Sequence, residues 1–354
     1  TLINDPPINI KAIKIIIYIS LVLITTTLFM KFISFGYHYN DFGYHHNLIL
    51  NFVKNNEYYA KINNLHGDIK SLHGFGDHFK PTHILLMSLF YMISATSFWL
   101  ILFKCISLAI FTVLFLKINK NIAPIILLSY LLFSTQNHEA IYWEYHPTNL
   151  APALVIIIYY SIIKKNWLVF WVSMIFSIGL KENAGVIWVC YGLYFIFIER
   201  KNKFGVVLTG TGLLYMVFIW YIAIPYFAQT PNHIASDINL FRDIPLKIKY
   251  IFLAYAPFLF LPFLNWRWLL FTLPALGINL IGKPPMYSGS FHYADILTVL
   301  IVISSLATLT ENFERIKKYM SEHRVLVLVP IILIVSIIPE SPMQKFVRYY
   351  PDEK

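Results

Sequence analysis

The sequence predicts an all-α, polytopic membrane protein, and three observations carry that reading. The chain is 58% hydrophobic and only 13% charged, against about 25% charged residues in a soluble domain. Its mean hydropathy is +0.62. Apolar runs long enough to approach or cross roughly 30 Å of hydrocarbon recur along the whole length, without the strand alternation of a membrane barrel. The formal net charge of +10 would suggest nucleic acid in a soluble chain. Here the basic residues fall in short turns between apolar runs, where they set topology and meet anionic lipid. No basic helix with interleaved aromatics is present, so nucleic acid is not an expected partner. Cys105 and Cys190 lie inside apolar runs, where neither can staple a loop.

The first predicted span is Ala12–Met30, preceded by Lys11 and Lys14. It is long enough to be a span rather than the core of a cleavable signal. A polar stretch of about 50 residues follows, far longer than a usual helix–helix connection. After Pro81 the apolar run Thr82–Ile93 is too short to cross and is read as interfacial or re-entrant. Further spans are expected at Ser97–Leu116, Ile122–Ser134, Thr148–Ile163, Trp167–Leu180, Ala184–Ile198, Phe204–Phe227, Leu246–Leu264, Trp268–Ile281, Ala294–Leu309 and Val325–Ile338, about eleven in all. Residues 1–339 then form one transmembrane domain, 31–96 its first extracytoplasmic loop with interfacial helices, and 340–354 an extracytoplasmic tail.

Direction follows from the turns. Lys11/Lys14, Lys117/Lys120, Lys164/Lys165, Arg200/Lys201/Lys203, Arg267 and Arg315/Lys317/Lys318/Arg324 all fall on one side if Thr82–Ile93 does not cross. By the positive-inside rule that side is cytoplasmic. The polar chemistry then gathers on the other face. The first outer loop carries His38, Asp41, His45, His46, His66, Asp68, His73, Asp77 and His78, with glycines that permit tight turns. Asn137-His138-Glu139 and Glu144-Tyr145-His146 occupy another outer turn, beside Tyr142 and Trp143. Lys181-Glu182-Asn183 interrupts a long apolar stretch, which is costly unless the charges are paired, hydrated or used. His292-Tyr293 opens a late span. A solvated loop with an interfacial aromatic belt accounts for parts of this pattern. A carboxylate among flat aromatic faces also suits a sugar, with hydroxyls at its edge and C–H groups on its face. A divalent metal is compatible with the His and Asp content, candidates being Asp41, Asp77 and His78, although no zinc spacing is present. Haem is disfavoured, because the imidazoles sit in loops and at helix ends.

The ordered set Asp41-Phe42-Gly43, Gly76-Asp77-His78-Phe79-Lys80-Pro81, Tyr145-His146-Pro147-Thr148, Lys181-Glu182-Asn183 and His292-Tyr293 resembles the prokaryotic membrane family called domain of unknown function 2079. That family in turn resembles the GT-C superfamily of multi-spanning glycosyltransferases. The resemblance implies a GT-C-like fold with juxtamembrane helices in the first outer loop, and residence in a prokaryotic inner membrane. It also implies a polyprenyl-phosphate sugar donor used outside the cytoplasm, and an early loop acid that maps onto Asp41. Two motifs depart from the family pattern: His46 and Asn47 stand where an acid and a glutamine are usual, and Asn183 replaces a second acid. Both changes remove carboxylates from any paired-acid metal site.

The expected function is therefore an inverting membrane glycosyltransferase acting on a glycan, lipid or protein acceptor. Asp41 is the candidate general base. Lys181 and His78, with Lys80 and Arg242 behind them, are candidates to stabilise the departing lipid phosphate. Asp77, Glu144, His146, Glu182, His292 and Tyr293 are candidates to bind or shape the sugar. The alternatives are a transporter or flippase for a lipid-linked or polar substrate, and a non-catalytic member of the fold. Against transport stands the placement of charge at helix ends rather than at the bilayer midplane.

Overall fold

The computed structural model describes residues 10–34, 41–63, 69–228, 241–288 and 292–313. Among these, helices dominate. The order is α1 (Ile10–Ile33), α2 (Asp41–Asn55), a hairpin β1 (Tyr59–Asn63) and β2 (Ile69–His73), α3 (Gly74–Asp77), α4 (Pro81–Ile93), α5 (Phe98–Ile118), α6 (Ala123–Leu132) and α7 (Thr135–Tyr142). After a 3-10 turn at Pro147–Leu150 come α8 (Ala151–Ile163), α9 (Trp167–Ile178), α10 (Gly185–Phe197), α11 (Asn202–Phe218), α12 (Ile224–Ala228), α13 (Ile244–Tyr255), α14 (Trp266–Ile281), α15 (Pro284–Tyr287) and α16 (Asp295–Glu311).

Among the described residues, three helices are each long and apolar enough to cross a membrane: Ile10–Ile33, Phe98–Ile118 and Asn202–Ala228. A fourth arises if α7 and the Pro147–Ile163 segment, bent by 116°, are counted as one broken span. The bend has a local cause. Asn149 Oδ1 accepts from the His146 backbone N–H at the head of the 3-10 turn, and Pro147 has no N–H to continue a helix from α7. The remaining apolar helices are shorter, α4 among them at 13 residues, about 20 Å at helical rise. The expected Val325–Ile338 span lies outside the described residues, as do His38, His66 and Asp68.

Two expectations need correction. Leu246–Leu264 is not one helix. α13 ends at Tyr255, and two 3-10 turns follow, around Pro257 and Pro262. Leu259 and Phe260 between them take positive φ, 51° and 54°. Asn137-His138-Glu139 is not a solvated turn. It lies within α7, whose Ser134 cap accepts from the Asn137 N–H, and Asn137 and His138 are buried.

The apolar runs sort into core and lipid-facing surfaces. α16 is buried from Asp295 through Thr308 and packs against α6, α8 and α14, which fits a helix apolar all round. α1 exposes Ile15, Ile19 and Val22, α9 exposes Leu168, Val172 and Ile175, and α11 exposes Val207, Leu214 and Val217. Such faces suit hydrocarbon rather than water. α10 and α11 approach most closely because glycines line both. A Cβ on Gly185 would meet the Gly212 carbonyl at 2.8 Å, and one on Gly192 would meet the Gly205 carbonyl at 2.7 Å. Small residues at such a crossing let backbones touch. In the same hairpin α11 runs into a π-turn at Ile219–Ala223, where the helix absorbs Pro225 and its missing N–H.

Candidate functional site

The ends of α2, α3, α4, α7, α9 and α16 converge on one buried polar cluster. α2 begins at Asp41, an acid in the first turn, favourably placed against the helix dipole. The Trp143 indole N–H donates to Asp41 Oδ2 at 3.2 Å, and the Phe42 backbone N–H donates to Glu144 Oε2 at 2.9 Å. One helix N-terminus thus faces the α7 turn through two carboxylates.

A second group of residues lies against the first. Lys80 is fully buried, its Nζ 3.2 Å from His45 Nδ1 and 4.6 Å from the Tyr44 ring centre. His45 packs edge-on against His83, Tyr145 and His146. His78 Nδ1 lies 3.0 Å from Glu182 Oε1, and its Nε2 lies 3.8 Å from Asp77 Oδ2. Lys181 Nζ is 4.0 Å from Glu182 Oε1, 3.5 Å from His146 Nε2 and 5.1 Å from the Tyr293 ring centre. Glu144, His146, Lys181 and Glu182 are each no more than 3% exposed.

The electrostatics balance locally. Burial pushes the Lys80 ammonium down to about 8, although the charges of Asp77 and Glu182 resist it. Burial alone would raise Glu182, but the charges of His78 and Lys181 outweigh it and hold the carboxyl below its ordinary value. The same contest, decided by His78 and Lys80, keeps Asp77 low. Burial, with the Lys80 charge beside it, drives His83 well below the usual imidazole range. Both His83 ring nitrogens, the Tyr145 hydroxyl and Glu182 Oε2 are buried without a hydrogen-bond partner among the described residues.

Of the residues singled out from sequence, Asp41, Asp77, His78, Lys80, Glu144, His146, Lys181, Glu182 and Tyr293 are brought together in this cluster. Arg242 stands half-buried in the turn before α13. His292 begins the turn into α16, but its side chain lies outside the described residues. Among the described residues no three His, Cys, Asp or Glu side chains are grouped to hold a metal ion.

Several members of the site escape sequence reasoning. Lys31 Nζ donates to the Tyr142 carbonyl at 2.8 Å. Lys104, inside α5, donates to the Trp143 and Glu144 carbonyls at 2.9 and 3.4 Å. Together they satisfy carbonyls that the end of α7 leaves without helical partners. Asp295, in the first turn of α16, accepts from Thr148 Oγ1 at 2.8 Å and Asn149 Nδ2 at 3.0 Å. Lys104 and Asp295 line a cavity of about 20 Å³ with Tyr130, Asn137 and Asn149, room for about one water molecule. One cue was available: an ionisable residue inside an apolar run is itself a functional hint.

Over residues 31–348 the chain matches the family described as "Predicted membrane protein (DUF2079)". The chain belongs to that family. No curated protein and no solved structure matches it.

Proposed function

We propose that this member of the predicted membrane protein family is a glycosyltransferase that moves a sugar from a polyprenyl phosphate to an acceptor on the extracytoplasmic side of a prokaryotic inner membrane. The observation that carries the reading is the buried cluster of acids, imidazoles and ammoniums at helix ends. A lipid-linked donor needs such a place, with its tail among helices and its charged head at the interface. The reading includes about eleven crossings in a GT-C-like arrangement.

In the reaction, the acceptor oxygen attacks the anomeric carbon from the face opposite the phosphate. The carbon–oxygen bond to the lipid phosphate breaks, and the phosphate leaves with the electron pair. Asp41 takes the proton of the attacking hydroxyl. Lys181, His78 and Lys80 meet the negative charge gained by the phosphate. Asp77, Glu144, His146, Glu182 and Tyr293 shape the sugar site, and His292 and Arg242 complete the proposed set.

The experiment is Asp41→Asn in purified protein, assayed for sugar transfer from lipid-linked donors. The proposal expects a loss of about 100-fold or more, the scale of a general base; unchanged turnover removes Asp41 from the mechanism. A second reading, transport of a lipid-linked or polar substrate, draws on Lys104, a buried cation within a span, and on the broken α7–α8 segment. Substrate crossing in reconstituted vesicles without covalent product favours it.

A further inference from the structure

A chain of hydrogen bonds whose directions can be worked out one after another runs from α16 to Lys181. The His146 backbone N–H, which can only donate, meets Asn149 Oδ1 at 2.9 Å. That contact fixes the Asn149 amide, so its NH₂ faces Asp295 and donates to Oδ2 at 3.0 Å. Oδ2 is therefore an acceptor, and the Thr148 hydroxyl places its one hydrogen on the same oxygen at 2.8 Å. Having spent that hydrogen, Thr148 Oγ1 can only accept from His146 Nδ1, 2.9 Å away. The Nδ1 atom must then carry the ring proton.

One contact runs the other way, because the Thr148 backbone N–H also points at His146 Nδ1, at 3.4 Å. It is the longer of the two. Its tautomer would also aim an Nε2–H at the Lys181 ammonium 3.5 Å away, donor against donor. Both comparisons favour the proton on Nδ1. The buried setting, with His146 at 2% exposure and Asp295 at 5%, leaves little water to scramble the arrangement.

We infer that Asp295, acting through Thr148 and Asn149, is a positioning residue that fixes neutral His146 as its Nδ1–H tautomer and turns the Nε2 lone pair toward Lys181. His146 then accepts from the Lys181 ammonium and holds it in place. Resting on the transfer reaction proposed above, this makes Lys181 an aimed cation for the departing phosphate rather than a mobile one. The motif Tyr145-His146-Pro147-Thr148-Asn149 and the acid at the head of α16 thereby become one device, although they are far apart in sequence.

The test reads the tautomer directly. Full-length protein labelled with ¹⁵N-histidine is studied in detergent micelles, with His146 assigned by its loss in His146→Gln. The expected result is a protonated Nδ1 and a pyridine-type Nε2, retained in Thr148→Ser and lost or mixed in Thr148→Val and Asp295→Asn. A protonated Nε2 in the wild type, or a tautomer unmoved in a folded Thr148→Val, overturns the inference. Unchanged signals from the other histidines establish folding, and Thr148→Val serves if Asp295→Asn does not fold. In the transfer assay Thr148→Val should lower kcat about tenfold or more, the scale of lost outer-shell support, with Thr148→Ser restoring it. The expected tautomer in a protein that transfers no sugar sinks the proposed function and leaves this inference standing.

Discussion

Lys80 should make the folded protein more stable as the solution becomes alkaline, and Lys80→Met should abolish that gain. Burial lowers this ammonium to about 8 from an ordinary 10.5. Below about 8 both folded and unfolded chains hold the proton, and the folded state bears the full penalty of the buried charge. Between about 8 and 10.5 the unfolded chain holds a proton that the folded chain has released. Stability therefore rises with pH across that window. The whole difference is about 3.4 kcal/mol at about 1.36 kcal/mol per pKa unit. Integrating the two titrations from about pH 7 to about pH 9.5 gives about 2 kcal/mol. The window stops there because Tyr44 works the other way. Burial and the Asp77 charge hold its hydroxyl above the ordinary range, so above about pH 10 the folded state keeps a proton that the unfolded chain loses. The assay is the unfolding midpoint in detergent at fixed protein and detergent concentration, for wild type and Lys80→Met. The expected result is a wild-type curve that climbs relative to the variant by about 2 kcal/mol from pH 7 to 9.5. Parallel curves would refute the burial argument for Lys80.

Two further substitutions probe the same cluster. Glu182→Gln should remove a charge-assisted contact with His78, 3.0 Å in the wild type, at a cost of about 1.5–3 kcal/mol near neutrality. Because the folded Glu182 lies below its ordinary 4.5, its contribution is present above 4.5 and lost as pH falls through the lower folded value. Unfolding midpoints from about pH 6 to about pH 3 should therefore fall more steeply in wild type than in the variant. Lys104→Met leaves the Trp143 and Glu144 carbonyls without this donor, and Asp295 without the cation that shares its cavity. A loss of about 3–5 kcal/mol is expected, less than additive with Asp295→Asn in a double-mutant cycle of unfolding.

What could be read from the chain in advance divides by range. Apolar runs and basic turns are local, so the helices at residues 12–30, 97–116, 148–163 and 204–227 were legible from composition alone. Pro257 and Pro262 lie in a run that stays apolar, so hydropathy alone counts them within a span; the backbone instead turns there with positive φ at Leu259 and Phe260. The site was legible where acids and imidazoles crowd together, as in Gly76-Asp77-His78 and Lys181-Glu182-Asn183. It was not legible where one charge stands alone among apolar neighbours. Lys104 and Asp295 carry no local motif, and their partners arrive from residues 143–149 through the packing of α5, α8 and α16. His83 was hidden in the same way, an imidazole on a short apolar helix whose ring neighbours His45 and Tyr145 come from elsewhere.

That division bears on how the site is held. The side chains that face Asp41 come from a turn, Tyr142 to Glu144, which a helix end alone would leave with unsatisfied carbonyls. Lys31 from α1 and Lys104 from α5 bind those carbonyls from inside the bundle. Both ammoniums are themselves buried, and away from water those carbonyls would be costly to leave unpaired. The two lysines therefore tie the conformation of the Tyr142–Glu144 turn to the packing of α1 and α5. Trp143 and Glu144 can then present an indole N–H and a carboxylate to the start of α2 without being part of a rigid element themselves. A substitution of Lys31 in α1 or Lys104 in α5 should loosen the partners of Asp41, so the reach of the site extends into the helices packed behind it.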